Sequence, residues 1–218
     1  MAIVAVNITQ HQHQHQQQGM TLLEVLVSAA ITLITLVGVV SLYLAGTQLA
    51  LKQHQQLLLA HGLNDAMQLI SSELLRSGYS NQSRPYRLSG AEQVIVADAS
   101  ASTPSISMIY QQSDHQWQMA TFRYKPSIDV LQYCYKSVAF SDDEVPFMEA
   151  DWACSAGAVR SLVDQSVVKI RDFSFTQTEF DREGGNFITL ELTMKGQLTA
   201  APQFTKTLHN QLTIRNSY

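Results

Sequence analysis

Of 218 residues only two are cysteine, and charged residues make up just 15% of the chain, with a net charge of -4. The scarcity of charge is uneven. Between Val25 and Gly46 there is no Asp, Glu, Lys, Arg, His, Asn or Gln, and neither Lys nor Arg occurs before Lys52. Each gap removes a class of function. The mild acidic balance argues against a nucleic-acid binder that works by bulk charge. The chain has no G-x-S-x-G, no H-E-x-x-H, no phosphate loop and no dinucleotide fingerprint. The common signatures of hydrolase, metalloprotease and nucleotide sites are thus missing. The sequence therefore points to no enzyme, no catalytic residue, no metal and no cofactor.

What is present is organised by that uncharged run. It is long enough to cross a bilayer, which takes about 20 residues at 1.5 Å each. A buried core helix is the alternative, but such helices rarely run so far without a polar face. Ahead of it, residues 1–19 contain the polar tract "HQHQHQQQG". This order reverses that of a secretory signal, whose apolar region precedes its cleavage site. The alternating His residues could hold a metal weakly if extended, though a leader that is removed needs no ligand role. Glu24 stands alone at the edge of the apolar run. An isolated ionised carboxylate there costs several kcal/mol or more, so it must find a cation or a proton.

The pattern predicts a helix from Met20 to about Ser77, apolar all round at first and amphipathic later. Leu59, Leu63, Met67, Ile70 and Leu74 form its stripe, and Lys52, Gln55, Gln56, Asp65, Gln68 and Ser72 fall off it. Gly78 is a suitable stop, and Gly38 and Gly62 are expected points of bending. A helix of this extent is about 85 Å long, more than one compact domain can bury. The remainder reads as strands: "EQVIVAD", "SISMIYQ", "QWQMATFRYK", "DVLQYCYKS", "SVVKIRDFSF" with a bulge at Arg171-Asp172, "NFITLELTMKG" and "TKTLHNQLTIRN". Glu183-Gly184-Gly185-Asn186 is a turn signal, "ASASTPS" and "SDDEVPFMEADW" are loops, and "AVRSLVDQ" reads as a short helix. The head is expected to be α+β, with an antiparallel sheet on the polar half of the helix.

Three smaller features carry chemistry. Cys134 and Cys154 lie far beyond the apolar run, in a region expected outside the cytoplasm, where a disulfide persists. A bridge would stabilise the fold by roughly 3 kcal/mol on the chain-entropy estimate; two buried thiols are the other reading. Asp142, Asp143, Glu144, Glu149 and Asp151 are clustered carboxylates of the kind calcium takes, but the ordered loop with a central Gly is missing. Arg84, Arg87, Arg123 and Lys125 interleave with Tyr86, Phe122 and Tyr124, a mixture that can stack on single-stranded DNA or simply line a solvated sheet edge. His54 and His61 read as solvated helix residues.

Gly19-Met20-Thr21-Leu22-Leu23-Glu24-Val25-Leu26-Val27 resembles the class III signal of type IV prepilins and type II secretion pseudopilins: Gly, an apolar residue, Thr, two aliphatics and Glu before a long apolar run. "SSELLRSGY", Ser71 to Tyr79, is similar to the helix-end segment of PilW-type minor pilins and J-type minor pseudopilins. The block from "SLVDQSVVKIRDFSF" to Ile214-Arg215-Asn216 is similar to their closing strands.

The resemblance implies the type IV pilin fold, with a cleaved leader (1–19), a membrane or filament-core half of the helix (20–50), an amphipathic half (51–78) and a periplasmic head (79–218). It implies cleavage between Gly19 and Met20 by the prepilin peptidase, which also methylates the new amine of Met20. It assigns Glu24 an assembly role, pairing with the amine of a neighbouring subunit and so fixing register. Its own amine lies about one helical turn away, a strained alternative; a protonated carboxylate is another. The implied protein is a minor pilin that helps initiate and cap a type IV pilus in a tip complex with other minor pilins. A J-type pseudopilin of type II secretion and a tip subunit that binds DNA or a surface are the alternatives. Implied partners are the major pilin, the inner-membrane assembly platform and, before assembly, membrane lipid. The implied location is the inner membrane, single-pass, and then the pilus tip.

Overall fold

The computed structural model describes residues 21–81, 86–88, 91, 93–99, 102–139, 152–182 and 185–217. The chain divides into two compact units, Met1–Ala50 and Leu51–Tyr218. Helix α1 (Leu22–Leu74) runs without interruption through Gly38 and Gly62. In the first unit it is the sole described element, and its large apolar side chains are exposed, Leu22 at 79% and Leu42 at 76%.

In the second unit α1 is amphipathic. Leu59, Leu63, Ala66, Met67, Ile70, Glu73 and Leu74 are buried, while Lys52, Asp65, Gln68 and Ser72 are exposed. All five residues of the predicted stripe thus face the core. Past Leu74 the chain turns, and Gly78 takes φ 72°, a left-handed conformation that glycine adopts without steric cost. Its N–H donates to the Ile109 carbonyl at 2.9 Å, and Gln111 N–H donates to Tyr79 O at 2.8 Å. The helix end is thereby clipped to a strand.

The head holds two antiparallel sheets rather than the expected one. The first has the order β1 (Ile95–Asp98), β2 (Ser105–Ser113), β3 (Gln116–Lys125), β4 (Val130–Ala139) and β5 (Ala158–Ser161). The second is β6 (Val168–Arg182), β7 (Gly185–Leu198) and β8 (Thr205–Ser217). The main core joins the α1 stripe to one face of each, through Ile106, Phe122 and Leu131 of the first and Ile170, Leu190 and Leu192 of the second. On the other face of the first sheet a smaller core gathers Tyr86, Leu88, Ile109, Trp117, Met119, Cys134 and Ala153. Strands β2 and β3 are therefore buried on both faces, without a break over Ile106–Gln111 and Trp117–Phe122.

Local details follow the sequence closely in places. The register of β6 on β7 shifts between Ile170 and Asp172, at the expected bulge, and Arg182 pairs with Gly185 across the hairpin. "AVRSLVDQ" is not a helix: Ala158–Ser161 is β5, paired with β4 through Cys134↔Val159 and its neighbours. The short helix lies earlier, α2 (Trp152–Ala156).

Candidate functional site

At the start of α1, Thr21 caps the helix. Its carbonyl accepts from Glu24 N–H at 3.0 Å and Val25 N–H at 3.2 Å, and its hydroxyl oxygen accepts from Glu24 N–H at 3.4 Å. Glu24 occupies the first turn, where the positive end of the helix dipole favours a carboxylate. It is exposed, and among the described residues no cation pairs with it. Gly19 and Met20 lie outside the described residues, as does the His tract.

The apolar helix also carries hydroxyls. Ser28 donates to Val25 O (3.0 Å), Thr32 to Ser28 O (2.7 Å), Thr35 to Thr32 O (2.8 Å), Ser41 to Val37 O (2.8 Å) and Thr47 to Leu44 O (2.9 Å). Each donor is satisfied within its own helix. That is the condition for a polar group to sit in hydrocarbon without a large penalty.

In the head, Cys134 of β4 is bridged to Cys154 of α2, with the Cα atoms 4.9 Å apart. Lys136 lies 4.4 Å from the centroid of the Trp152 ring on the same helix. Bridge and cation–π contact hold α2 against the outer face of the first sheet.

The second polar cluster went unseen in the sequence. Glu73 falls on the buried stripe, one turn after Ile70, and only 6% of its surface is exposed. Its Oε2 accepts from Tyr110 OH at 2.8 Å and Tyr133 OH at 3.0 Å, and its Oε1 lies 3.3 Å from Arg76 Nη1. Burial, then the Glu73 hydrogen bond and charge, push the Tyr110 phenol up to about 12. Burial, then the Glu73 charge, raises Tyr133 further. The hydrogen bond with Tyr110, then the charge of Glu73, raises Arg76. The usable signal was a Glu on the apolar stripe with Arg at i+3. Its tyrosine partners come from distant strands, which spacing alone does not reveal.

Other candidates do not assemble. Tyr86, Phe122 and Tyr124 are buried in the two cores, so the interleaved arginines have no aromatic platform for bases; Arg84 lies outside the described residues. The acidic residues from Asp142 to Asp151 also lie outside them. His54 and His61 are exposed on α1. No group of three or more His, Cys, Asp or Glu that could hold a metal ion occurs among the described residues.

Residues 52–214 match the family described as prepilin peptidase-dependent protein B, and residues 14–40 match the prokaryotic N-terminal methylation motif. Neither a curated protein nor a solved structure matches the chain significantly.

Proposed function

The chain belongs to the prepilin peptidase-dependent protein B family and carries the N-terminal methylation motif, and from that premise we propose that it is a minor pilin that helps initiate and cap a type IV pilus. Family membership makes it a structural protein of pilin type, processed by the prepilin peptidase and anchored by its apolar helix. The finer reading adds a PilW-type tip complex with other minor pilins, the major pilin as client and a head on the periplasmic side. Gly19 and Met20 flank the proposed cut, and Met20 carries the methyl group. Glu24 then meets the amine of a neighbouring subunit.

The observation that carries this reading is the exposed apolar surface of α1 in the first unit. Its large apolar side chains are exposed among the described residues and its hydroxyls are satisfied internally, so it suits lipid first and a bundle of like helices afterwards. The aromatics that suggested a DNA-binding tip subunit, Tyr86, Phe122 and Tyr124, are buried, which weighs against that alternative. A J-type pseudopilin presents the same physics and remains the second reading.

Co-expression with a prepilin peptidase tests the core of the proposal. Intact mass should show a chain beginning at Met20 with one added methyl group, and Gly19→Asp should leave it uncut. A mature chain with another first residue would refute the processing assignment. Loss of the gene product should reduce surface pili while leaving secretion of folded enzymes unchanged; the reverse result would select the pseudopilin.

A further inference from the structure

The face of the first sheet that meets α1 is not fully covered by it. Beside the C-terminal turns of the helix a cavity of about 450 Å³ opens over β3, β4 and β5, a size typical of small-ligand sites. Its floor is aromatic. The rings of Tyr133 and Tyr135 line it and stack with centroids 5.3 Å apart, and the buried Phe122 backs Tyr133 from the core at 5.1 Å. Two guanidinium groups border it, each over a tyrosine: Arg76 is 5.9 Å from the Tyr110 centroid and Arg160 is 5.4 Å from the Tyr135 centroid. Arg160 stands exposed on β5 with no carboxylate partner among the described residues. The side chain of Arg76 is 59% exposed although it touches Glu73. Amides of Gln112 and Gln118 line the same space.

The charges set the ligand chemistry. Two arginines and one carboxylate leave a net positive site, so the ligand carries an anion, and a planar carboxylate matches the guanidinium fork. Glu73 adds a second requirement. Its Oε2 already accepts two bonds, while its Oε1 has only the 3.3 Å contact with Arg76. An acceptor with spare capacity calls for a donor on the ligand. In an acidic peptide the donors are backbone N–H groups, set apart from the carboxylate by the aliphatic stem of the side chain. A sugar acid supplies both: a carboxylate for the arginines and hydroxyl donors for Glu73 and the amides, with a ring whose C–H face lies flat on tyrosine. We propose that this cavity binds an acidic saccharide, a uronic acid unit, with Arg160 and Arg76 holding the carboxylate and Tyr135 the ring.

The test uses the full chain in detergent, titrated by calorimetry with tri-galacturonic acid, neutral galactotriose and tetra-glutamate. Tri-galacturonic acid should bind, with galactotriose and tetra-glutamate each at least about tenfold weaker, as loss of one charge-assisted contact implies. Arg160→Ala should weaken binding about tenfold without moving the unfolding midpoint, since Arg160 is exposed; Arg160→Lys should recover part of it. Failure of tri-galacturonic acid to bind would overturn the proposal. So would equal binding of the neutral sugar, preference for the peptide, or an unaffected Arg160→Ala.

Discussion

Buried carboxylates are expensive unless their lone pairs are filled, and Glu73 shows how the chain meets that cost. Tyr110 and Tyr133 reach it from β2 and β4, and Arg76 from the next helical turn. The two tyrosine contacts tie the end of α1 to the first sheet, and Arg76 balances the charge locally. Tyr110→Phe removes one hydrogen bond to a charged acceptor and should cost about 1.5–3 kcal/mol. Urea unfolding in detergent, followed by the fluorescence of Trp117 and Trp152, measures it. The same pair sets a pH dependence. Tyr110 is raised in the folded state from its ordinary 10.0 to about 12. The unfolded chain then loses that proton first, so stability is complete below pH 10 and falls as pH rises through 12. The fall should be shallower in Tyr110→Phe; parallel curves for the two proteins would remove the tyrosine from the account. At this scale the sequence was only half legible. The five apolar stripe residues were readable from spacing, but Glu73 was not, because its partners lie 37 and 60 residues away along the chain.

Elements meet here through two close approaches. A Cβ on Gly157 would stand 2.4 Å from Tyr135 O and 2.5 Å from Ala153 O, both backbone atoms that cannot yield. One on Gly196 would stand 2.6 Å from Leu63 Cδ2, the end of a side chain that can rotate. Gly157→Ala should therefore destabilise by roughly 3 kcal/mol and Gly196→Ala by about 1 kcal/mol. Reversal of that order in urea unfolding would contradict the packing described. Gly157 also explains the misread "AVRSLVDQ". The Cys134–Cys154 bridge holds α2 to β4, and the tight turn at Gly157 sends the chain back beside β4. Residues spaced for a helix, Val159, Leu162 and Val163, are instead drawn into or beside a strand by partners distant in sequence. Strands β2, β3, β6, β7 and β8 were legible because their own alternation or length specifies them; β5 depends on the bridge. Replacing both cysteines with alanine should cost about 3 kcal/mol on the chain-entropy estimate. The fluorescence of Trp152 should respond more than the core midpoint does, because α2 is the element released.

In the whole molecule, the packed cores and the exposed apolar helix surface belong to different units. The second unit contains both cores and the disulfide, whereas the described residues of the first have exposed apolar side chains and none that are buried. A change in the first unit should leave the head folded and alter only what the helix associates with. Glu24 is the carboxylate on which that separation can be tested. Thr21 already caps the helix through its own carbonyl and hydroxyl oxygens, so the helix does not need the Glu24 side chain in order to start. In lipid or in a helix bundle the carboxylate still requires a cation or a proton. The amine released by cleavage of a neighbouring chain is a cation at the same depth. Pairing them neutralises two charges together and sets the axial stagger between subunits. On the function proposed above, a subunit that retains this carboxylate has a use for a neighbour's amine, and we propose that it lies just below the top of a tip complex rather than at its end. Glu24→Ala should thus leave cleavage and the unfolding midpoint of the head unchanged. It should also reduce crosslinking between membrane-embedded helices, and the number of pili, in cells that carry all the minor subunits. Crosslinks and piliation at the wild-type level would show that the carboxylate is not the register contact.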